Sequence, residues 1–165
     1  MSTFSGFAAF SLRGSKVDDF ERQFPSLFRR AYGVAFVVVG DREDARDIAQ
    51  ETLARLHVHW GKVSGFATPW VVRVAGNLAL DRVRRRSRIR YLLAESVPEP
   101  DPQRVDLQRA LLALPRRQRD VVILRYVADL PEADVARALG CSVGTVKTHA
   151  SRGLGALRIA LGGSR

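Results

Sequence analysis

The residues with the most chemical content lie near the carboxyl end, in Pro131-Glu-Ala-Asp-Val-Ala-Arg-Ala-Leu-Gly140-Cys-Ser142-Val-Gly-Thr-Val-Lys-Thr-His149. Val135, Ala136 and Leu139 mark the inner face of one helix, Gly140 suits a left-handed helix end, and Ser142 can cap the helix that follows. This spacing predicts a helix-turn-helix. At a helical advance of about 100° per residue, Val143, Val146, Ala150, Leu154, Leu157 and Leu161 fall within an arc of roughly 80°. Thr145, Thr148 and Arg152 then point outward, with Lys147 and Ser151 on one flank. Hydroxyl, ammonium and guanidinium groups on the first turns of such a helix match the donors and acceptors of a DNA major groove. An αα-hairpin with a solvated polar face is the alternative for the same spacing. His149 is expected to be a solvated histidine rather than a switch.

A second set is centred on Trp70, Arg73 and Asn77, which lie off an apolar stripe, with Phe66 just upstream. An aromatic ring near amide and guanidinium groups is what an unstacked base requires. The run Asp81-Arg-Val-Arg-Arg-Arg-Ser-Arg-Ile-Arg90 continues this helix, but its arginines, Arg82 and Arg85 among them, spread around the axis and define no single face. A third set has the opposite sign. Asp44, Asp47 and Glu51 fall within an arc of about 60° opposite an apolar stripe, flanked by Gln50 and Arg55. That face would repel DNA and suits a basic protein partner, while a solvated face with a Glu51–Arg55 pair is the rival reading.

Nothing predicts catalysis. His57 and His59 are two apart, on different sides of a helix, and no metal-ligand spacing, glycine-rich phosphate loop or Ser/His/Asp set occurs. No metal, cofactor or small-molecule substrate is expected. The single Cys141 excludes an intramolecular disulfide.

The charge is distributed to match. The 165 residues carry +10, as +1 over residues 1–68, +6 over 69–90, −3 over 91–106 and +6 over 107–165. Two basic blocks suggest two phosphate-facing surfaces, because basic side chains gain affinity for a polyanion by releasing its counterions. Of the 27 basic residues 24 are Arg, whose planar fork suits phosphates and base edges. The longest apolar stretch, Ala31 to Val39, is too short to span a bilayer, and Phe4, Phe7 and Phe10 precede Arg13 and Lys16, the reverse of a signal peptide. A cytoplasmic location with no membrane contact is expected.

The elements that must hold these residues have a period near 3.6 throughout, which predicts an all-α fold. Residues 1–17 are expected to be a disordered extension. A first helix carries Phe20, Phe24, Leu27, Phe28 and Ala31, with Pro25 expected to kink or restart it. A second, capped by Asp41, runs to about Trp60 through Ala45, Ile48, Ala49, Leu53 and Leu56. A loop over residues 61–68 ends at Thr68, predicted to cap a third helix with Pro69 in its first position, running through Val71, Val74, Ala75, Leu78 and Val83. Residues 94–106 hold three prolines and four acids, the composition of a solvated linker. It divides the chain into small helical domains over 18–93 and 107–165. The second should contain helices over 106–114, 115 to about 127 and 131–139 before the last one.

In this order the segments resemble the extracytoplasmic-function (ECF) sigma factors of bacteria, members of the sigma-70 superfamily, over roughly residues 18–160. Asp41-Arg-Glu-Asp-Ala-Arg-Asp-Ile-Ala-Gln-Glu-Thr-Leu-Ala-Arg-Leu is similar to the family's core-binding helix. The resemblance implies that Asp44, Asp47, Ile48, Gln50, Glu51 and Arg55 meet core RNA polymerase at the clamp of its largest subunit. Trp70-Val-Val-Arg-Val-Ala-Gly-Asn-Leu-Ala-Leu-Asp-Arg-Val-Arg-Arg-Arg resembles the helix that melts and reads the minus-ten element, with the preceding loop as the place of a flipped base. It implies roles for Phe66, Trp70, Arg73, Asn77, Asp81, Arg82 and Arg85. Leu114-Pro-Arg-Arg-Gln-Arg-Asp-Val-Val-Ile-Leu-Arg-Tyr and the Ser142 segment are similar to the domain that reads the minus-thirty-five element. Ser142, Thr145, Lys147, Thr148, Ser151 and Arg152 are its candidate contacts, with Lys147, Thr148 and Ser151 where bases are usually met. His149 and Gly153 stand where Arg and Ala are more usual.

The resemblance implies a non-enzymatic adaptor whose partners are core polymerase, promoter DNA and, in some members, an anti-sigma factor. Gly144-Thr-Val-Lys-Thr-His is also similar to response-regulator DNA-binding domains, so a polymerase-independent regulator is the alternative. The amino-terminal half lacks the alternating β and α units of a receiver domain, which counts against it.

Overall fold

A computed structural model describes residues 5–93 and 101–162. Three helices form the amino-terminal half: α1 (Ser5–Val39), α2 (Arg42–Val63) and α3 (Ala67–Leu93), with a 3₁₀ turn over Ser64–Phe66. The carboxyl-terminal half holds α4 (Pro102–Ala113), α5 (Arg116–Val122) with a π-helical turn Ile123–Val127, α6 (Glu132–Leu139) and α7 (Val143–Gly162). No strand occurs among the described residues, as the 3.6 period requires.

Each half is built from apolar stripes that helical spacing aligns. Leu27, Ala31, Val34 and Val38 of α1, Ile48, Leu53 and Leu56 of α2, and Val71, Val72, Ala75 and Leu80 of α3 are almost wholly buried together. Removing one Leu side chain of this kind from water contributes about 1.5–3 kcal/mol. In the other half α5 and α6 rest on α7 through Val121, Leu124, Val135, Val146 and Leu157. At Gly153 a Cβ would lie 2.8 Å from Val122 Cγ2, so only glycine allows α5 and α7 this close.

Several boundaries differ from those the sequence predicts. Helical backbone begins at Ser5, so the expectation of a disordered 1–17 fails from that residue onward, while Met1 to Phe4 lie outside the described residues. Each residue added to an existing helix gains a hydrogen bond, which favours continuation. Pro25 lies inside α1 without ending it. The expected loop over 61–68 is absent: α2 reaches Val63, one 3₁₀ turn follows, and α3 starts at Ala67. Thr68 and Pro69 therefore sit within the first turn of α3, where a proline's missing N–H costs no intrahelical bond. The linker is also shorter than its composition suggests. Asp101 accepts from the Gln103 N–H at 3.0 Å and caps α4, which takes residues 102–106 out of the linker. Residues 94–100 lie outside the described part.

The two halves are docked on one another. Arg104 and Gln108 of α4 donate to the carbonyls at the end of α1, Arg104 to Phe36 at 3.1 Å and Gln108 to Val38 at 2.7 Å. A helix end leaves such carbonyls unsatisfied, so α4 caps α1 across the junction. Ile123, at the start of the π-helical turn, lies against Gly76 of α3, where an added Cβ would come within 3.0 Å.

Candidate nucleic-acid and partner interfaces

The helix-turn-helix is assembled as its local chemistry dictates. Gly140 has φ +62°, a left-handed conformation that ends α6 and turns the chain. Ser142 Oγ accepts from the Thr145 N–H at 3.1 Å and lies 2.9 Å from the Thr145 hydroxyl, so these two side chains serve the cap. Lys147, Thr148, Ser151 and Arg152 are exposed on one open side of α7, and Thr145 is half-buried. The Thr148 hydroxyl donates back to the Gly144 carbonyl at 3.0 Å, and Lys147 Nζ stands 3.8 Å from Glu132 of α6. The buried side of α7 is narrower than the apolar arc. Val146, Ala150, Gly153 and Leu157 are buried, whereas Val143 and Leu161 are exposed. His149 is half-buried, not fully solvated, with a buried Nδ1 that has no partner.

The α2 face requires two corrections. Asp41 caps the helix by accepting from the Asp44 N–H at 2.9 Å, and that bond, the largest influence, holds its carboxyl below the usual range. Asp44 itself does not join the outward acidic face, because it is only 7% exposed. It lies between two arginines of α3, 2.5 Å from Arg82 and 2.7 Å from Arg86. Sequence distance hides this pair, because the partners sit on another helix. Ile48, offered as a polymerase contact, is 1% exposed and part of the core. Asp47, Gln50, Glu51 and Arg55 remain exposed, with Glu51 and Arg55 paired at 2.5 Å.

On α3 the candidates are brought together but not left open. Trp70, Arg73 and Asn77 line one cleft with Asp81, whereas Phe66 is half-buried against the core and does not line it. Arg73 Nε is 3.5 Å from Asp120 of α5, whose side chain is only 2% exposed. Burial pushes the Asp120 pKa up, and Arg73 opposes that push. Asp81 pairs with Arg84 at 3.0 Å, and Arg82 is occupied by Asp44. Of the named basic residues Arg85 is exposed.

Asp120, Arg116, Arg119, Arg104 and Gln108 were not singled out by the sequence. The only local sign was charge inside an apolar run: Arg119-Asp120 directly precedes Val121 to Leu124 and is buried with it.

The comparisons agree with this layout. Residues 24–89 match the family model of sigma-70 region 2, and residues 104–157 that of sigma-70 region 4. The chain is 32% identical over 177 residues to the ECF RNA polymerase sigma factor SigE of Mycolicibacterium smegmatis, covering 93% of this chain and 66% of SigE. It is 30% identical over 152 residues to the ECF RNA polymerase sigma factor SigW of Bacillus subtilis, covering 78% of this chain and 81% of SigW. Among solved structures it is similar in fold to the sigma factor RpoE of Bartonella quintana, crystallised with the anti-sigma factor NepR. That match has a TM-score of 0.54 and 23% identity, and covers 89% of this chain and 99% of RpoE. A chain matching regions 2 and 4 in order, and two such sigma factors along most of its length, belongs to the ECF family of RNA polymerase sigma factors.

Proposed function

We propose that this sigma factor docks on core RNA polymerase through α2 and directs promoter-specific initiation, reading the minus-ten element with α3 and the minus-thirty-five element with α7. The observation that carries the reading is the separation of three chemistries on one chain. Asp47, Gln50 and Glu51 form an exposed polar face with two acids, Trp70, Arg73 and Asn77 cluster at one cleft, and Lys147, Thr148, Ser151 and Arg152 stand on an open helix face. A polymerase-independent regulator would have no use for the first of these. Residues 18–93 and 107–165 act as the two DNA-reading units, with the start of α4 belonging to the second.

Each contact has its own role. Asp47 and Glu51 offer carboxylates to a basic polymerase surface, and Gln50 adds an amide that can donate and accept. Trp70 supplies a ring face for a base displaced from the duplex, Arg73 a fork for the adjacent phosphate, and Asn77 an amide for a base edge. Lys147 and Ser151 reach base edges in the major groove, while Arg152 meets phosphate. Polymerase supplies the phosphoryl-transfer chemistry, and the chain acts in the cytoplasm beside it. No described helix is long and apolar enough to cross a membrane. An anti-sigma protein is a further partner, by analogy with the RpoE relative.

Reconstituted initiation tests this. Mixed with sigma-free core polymerase and a cognate promoter, the chain gives transcripts from one start site. The pair Asp47→Arg with Glu51→Arg abolishes co-elution with core while leaving binding of the minus-thirty-five duplex intact. Unchanged co-elution would remove α2 from the docking role.

A further inference from the structure

The docked halves form an open cleft of about 540 Å³ with walls from both. Trp70, Asn77 and Arg84 reach it from α3, and Arg116 and Arg119 from α5. Five guanidinium groups line it against one carboxylate, Asp81. Three of the five are paired: Arg55 with Glu51 and Arg73 with Asp120, both outside the lining, and Arg84 with Asp81 within it. Arg116 and Arg119 have none within 4.0 Å among the described residues.

Arg119 is the anomaly. It is 8% exposed, one nitrogen donates to the Leu112 carbonyl at 3.3 Å, and its buried Nε–H has no partner. Burial lowers its pKa, and the Arg84 guanidinium from the other half lowers it further. Like charges from the two halves thus line one cleft, offset only in part by Asp120 and Asp81. Phosphate oxygens suit this surplus of guanidinium groups: they add negative charge, and they accept from guanidinium forks in pairs. The cleft exceeds what a lone phosphate needs, and the Trp70 ring and Asn77 amide at its α3 wall offer a face and an edge suited to a nucleobase.

We propose that this cleft is a binding site for a nucleoside polyphosphate, with the phosphate chain on Arg84, Arg116 and Arg119 and the base beside Trp70 and Asn77. The ligand bridges the two halves and stabilises the docked arrangement. If α3 reads the minus-ten element as proposed above, the same ligand competes with the promoter strand for Trp70 and Asn77. The site itself does not depend on that reading.

The test uses the full chain with GTP, GMP and inorganic tripolyphosphate as probes, read by calorimetric titration and thermal melting. GTP is expected to bind saturably and raise the melting midpoint. Tripolyphosphate should bind more weakly, and GMP at least tenfold more weakly. Arg84→Glu with Arg116→Glu should weaken GTP at least tenfold, whereas Lys147→Glu with Arg152→Glu, the same charge change on α7, should leave it within twofold. Should the first pair unfold the chain, Arg84→Gln with Arg116→Gln replaces it, folding being checked by circular dichroism. Equal losses in both pairs would reduce the effect to general attraction by a +10 chain and overturn the site. Tripolyphosphate binding as tightly as GTP would overturn the nucleoside assignment. A preparation that initiates transcription with core polymerase yet gives no saturable GTP isotherm overturns this site and leaves the sigma-factor reading standing.

Discussion

The face of α7 that carries Lys147, Thr148, Ser151 and Arg152 is open to solvent, while the α3 face that carries Trp70, Arg73 and Asn77 is half-covered, with Arg116, Arg119 and Asp120 of α5 beside it. Both faces are polar and basic, so the difference is not one of composition. It comes from what is packed against them. α7 uses its apolar side within its own half, leaving the polar side free, whereas α3 lies at the junction and has Asp120 set against Arg73. A carboxylate beside that guanidinium stands where a DNA phosphate would otherwise sit. On the proposed reading the α7 face is free to meet a duplex, while Arg73 on the α3 face is held by Asp120 as long as the halves are docked.

Four measurements test that contrast. The largest effect is expected from Gly153→Leu, which forces a side chain into Val122 and should destabilise the carboxyl-terminal half by about 3 kcal/mol, the upper range for overpacking. Denaturant unfolding measures it, and an unaltered midpoint would show that α5 and α7 are further apart than described. Next, Lys147→Ala should weaken binding of the cognate minus-thirty-five duplex by about 2 kcal/mol with little change on unrelated duplexes, as expected for a base contact. An equal loss on every sequence would make Lys147 a phosphate contact.

Asp120→Asn addresses the half-covered face. It removes the charge opposite Arg73, and the free chain should bind a minus-ten single strand about fivefold more tightly, equivalent to about 1 kcal/mol. Because burial raises the Asp120 pKa above 3.8, its contribution to folded stability is full below 3.8 and is lost as pH rises through the raised value. The variant should lack that part of the pH profile; an identical profile would mean that Asp120 is not buried at the junction. The smallest effect is expected from Asp41→Ala, about 0.5 kcal/mol at neutral pH, the low end for loss of a helix cap. Here the folded pKa is lowered, so the stabilisation is present above 3.8 and disappears as pH falls through the lowered value. A two-state melt at pH 7 and pH 3 measures it, and a cost that persists undiminished at the lower pH would deny the carboxylate its role.

The correct and mistaken expectations separate along a physical line. Gly140 ending α6, Ser142 capping α7, Asp41 capping α2 and the stripes of α2 and α3 depend on residues within a few positions of one another, and their spacing was legible. Asp44 was assigned to the wrong face because helical phase gives an angle and not a neighbour: on its own helix it points away from Ala45 and Leu53, yet Arg82 and Arg86 enclose it. Ile48 belonged by phase to the core, where it is buried, and only the resemblance had assigned it a partner contact. The expected linker over 94–106 loses residues 101–106 to α4 because proline and acid favour extended chain in general but also favour a helix start, and Asp101-Pro102 is such a start.

Residue order alone specifies a helical fold, most of its caps and apolar stripes, the division into two basic blocks, and the family to which their order points. Those follow from local backbone preference and from amphipathic period, which act over a single turn or a single helix. It took the packed molecule to show that Asp120 meets Arg73, that Arg104 and Gln108 cap α1, and that Arg84 and Arg119 line one cleft. These pairings join residues dozens of positions apart, where charge and size permit many partners and the packing of two halves selects one.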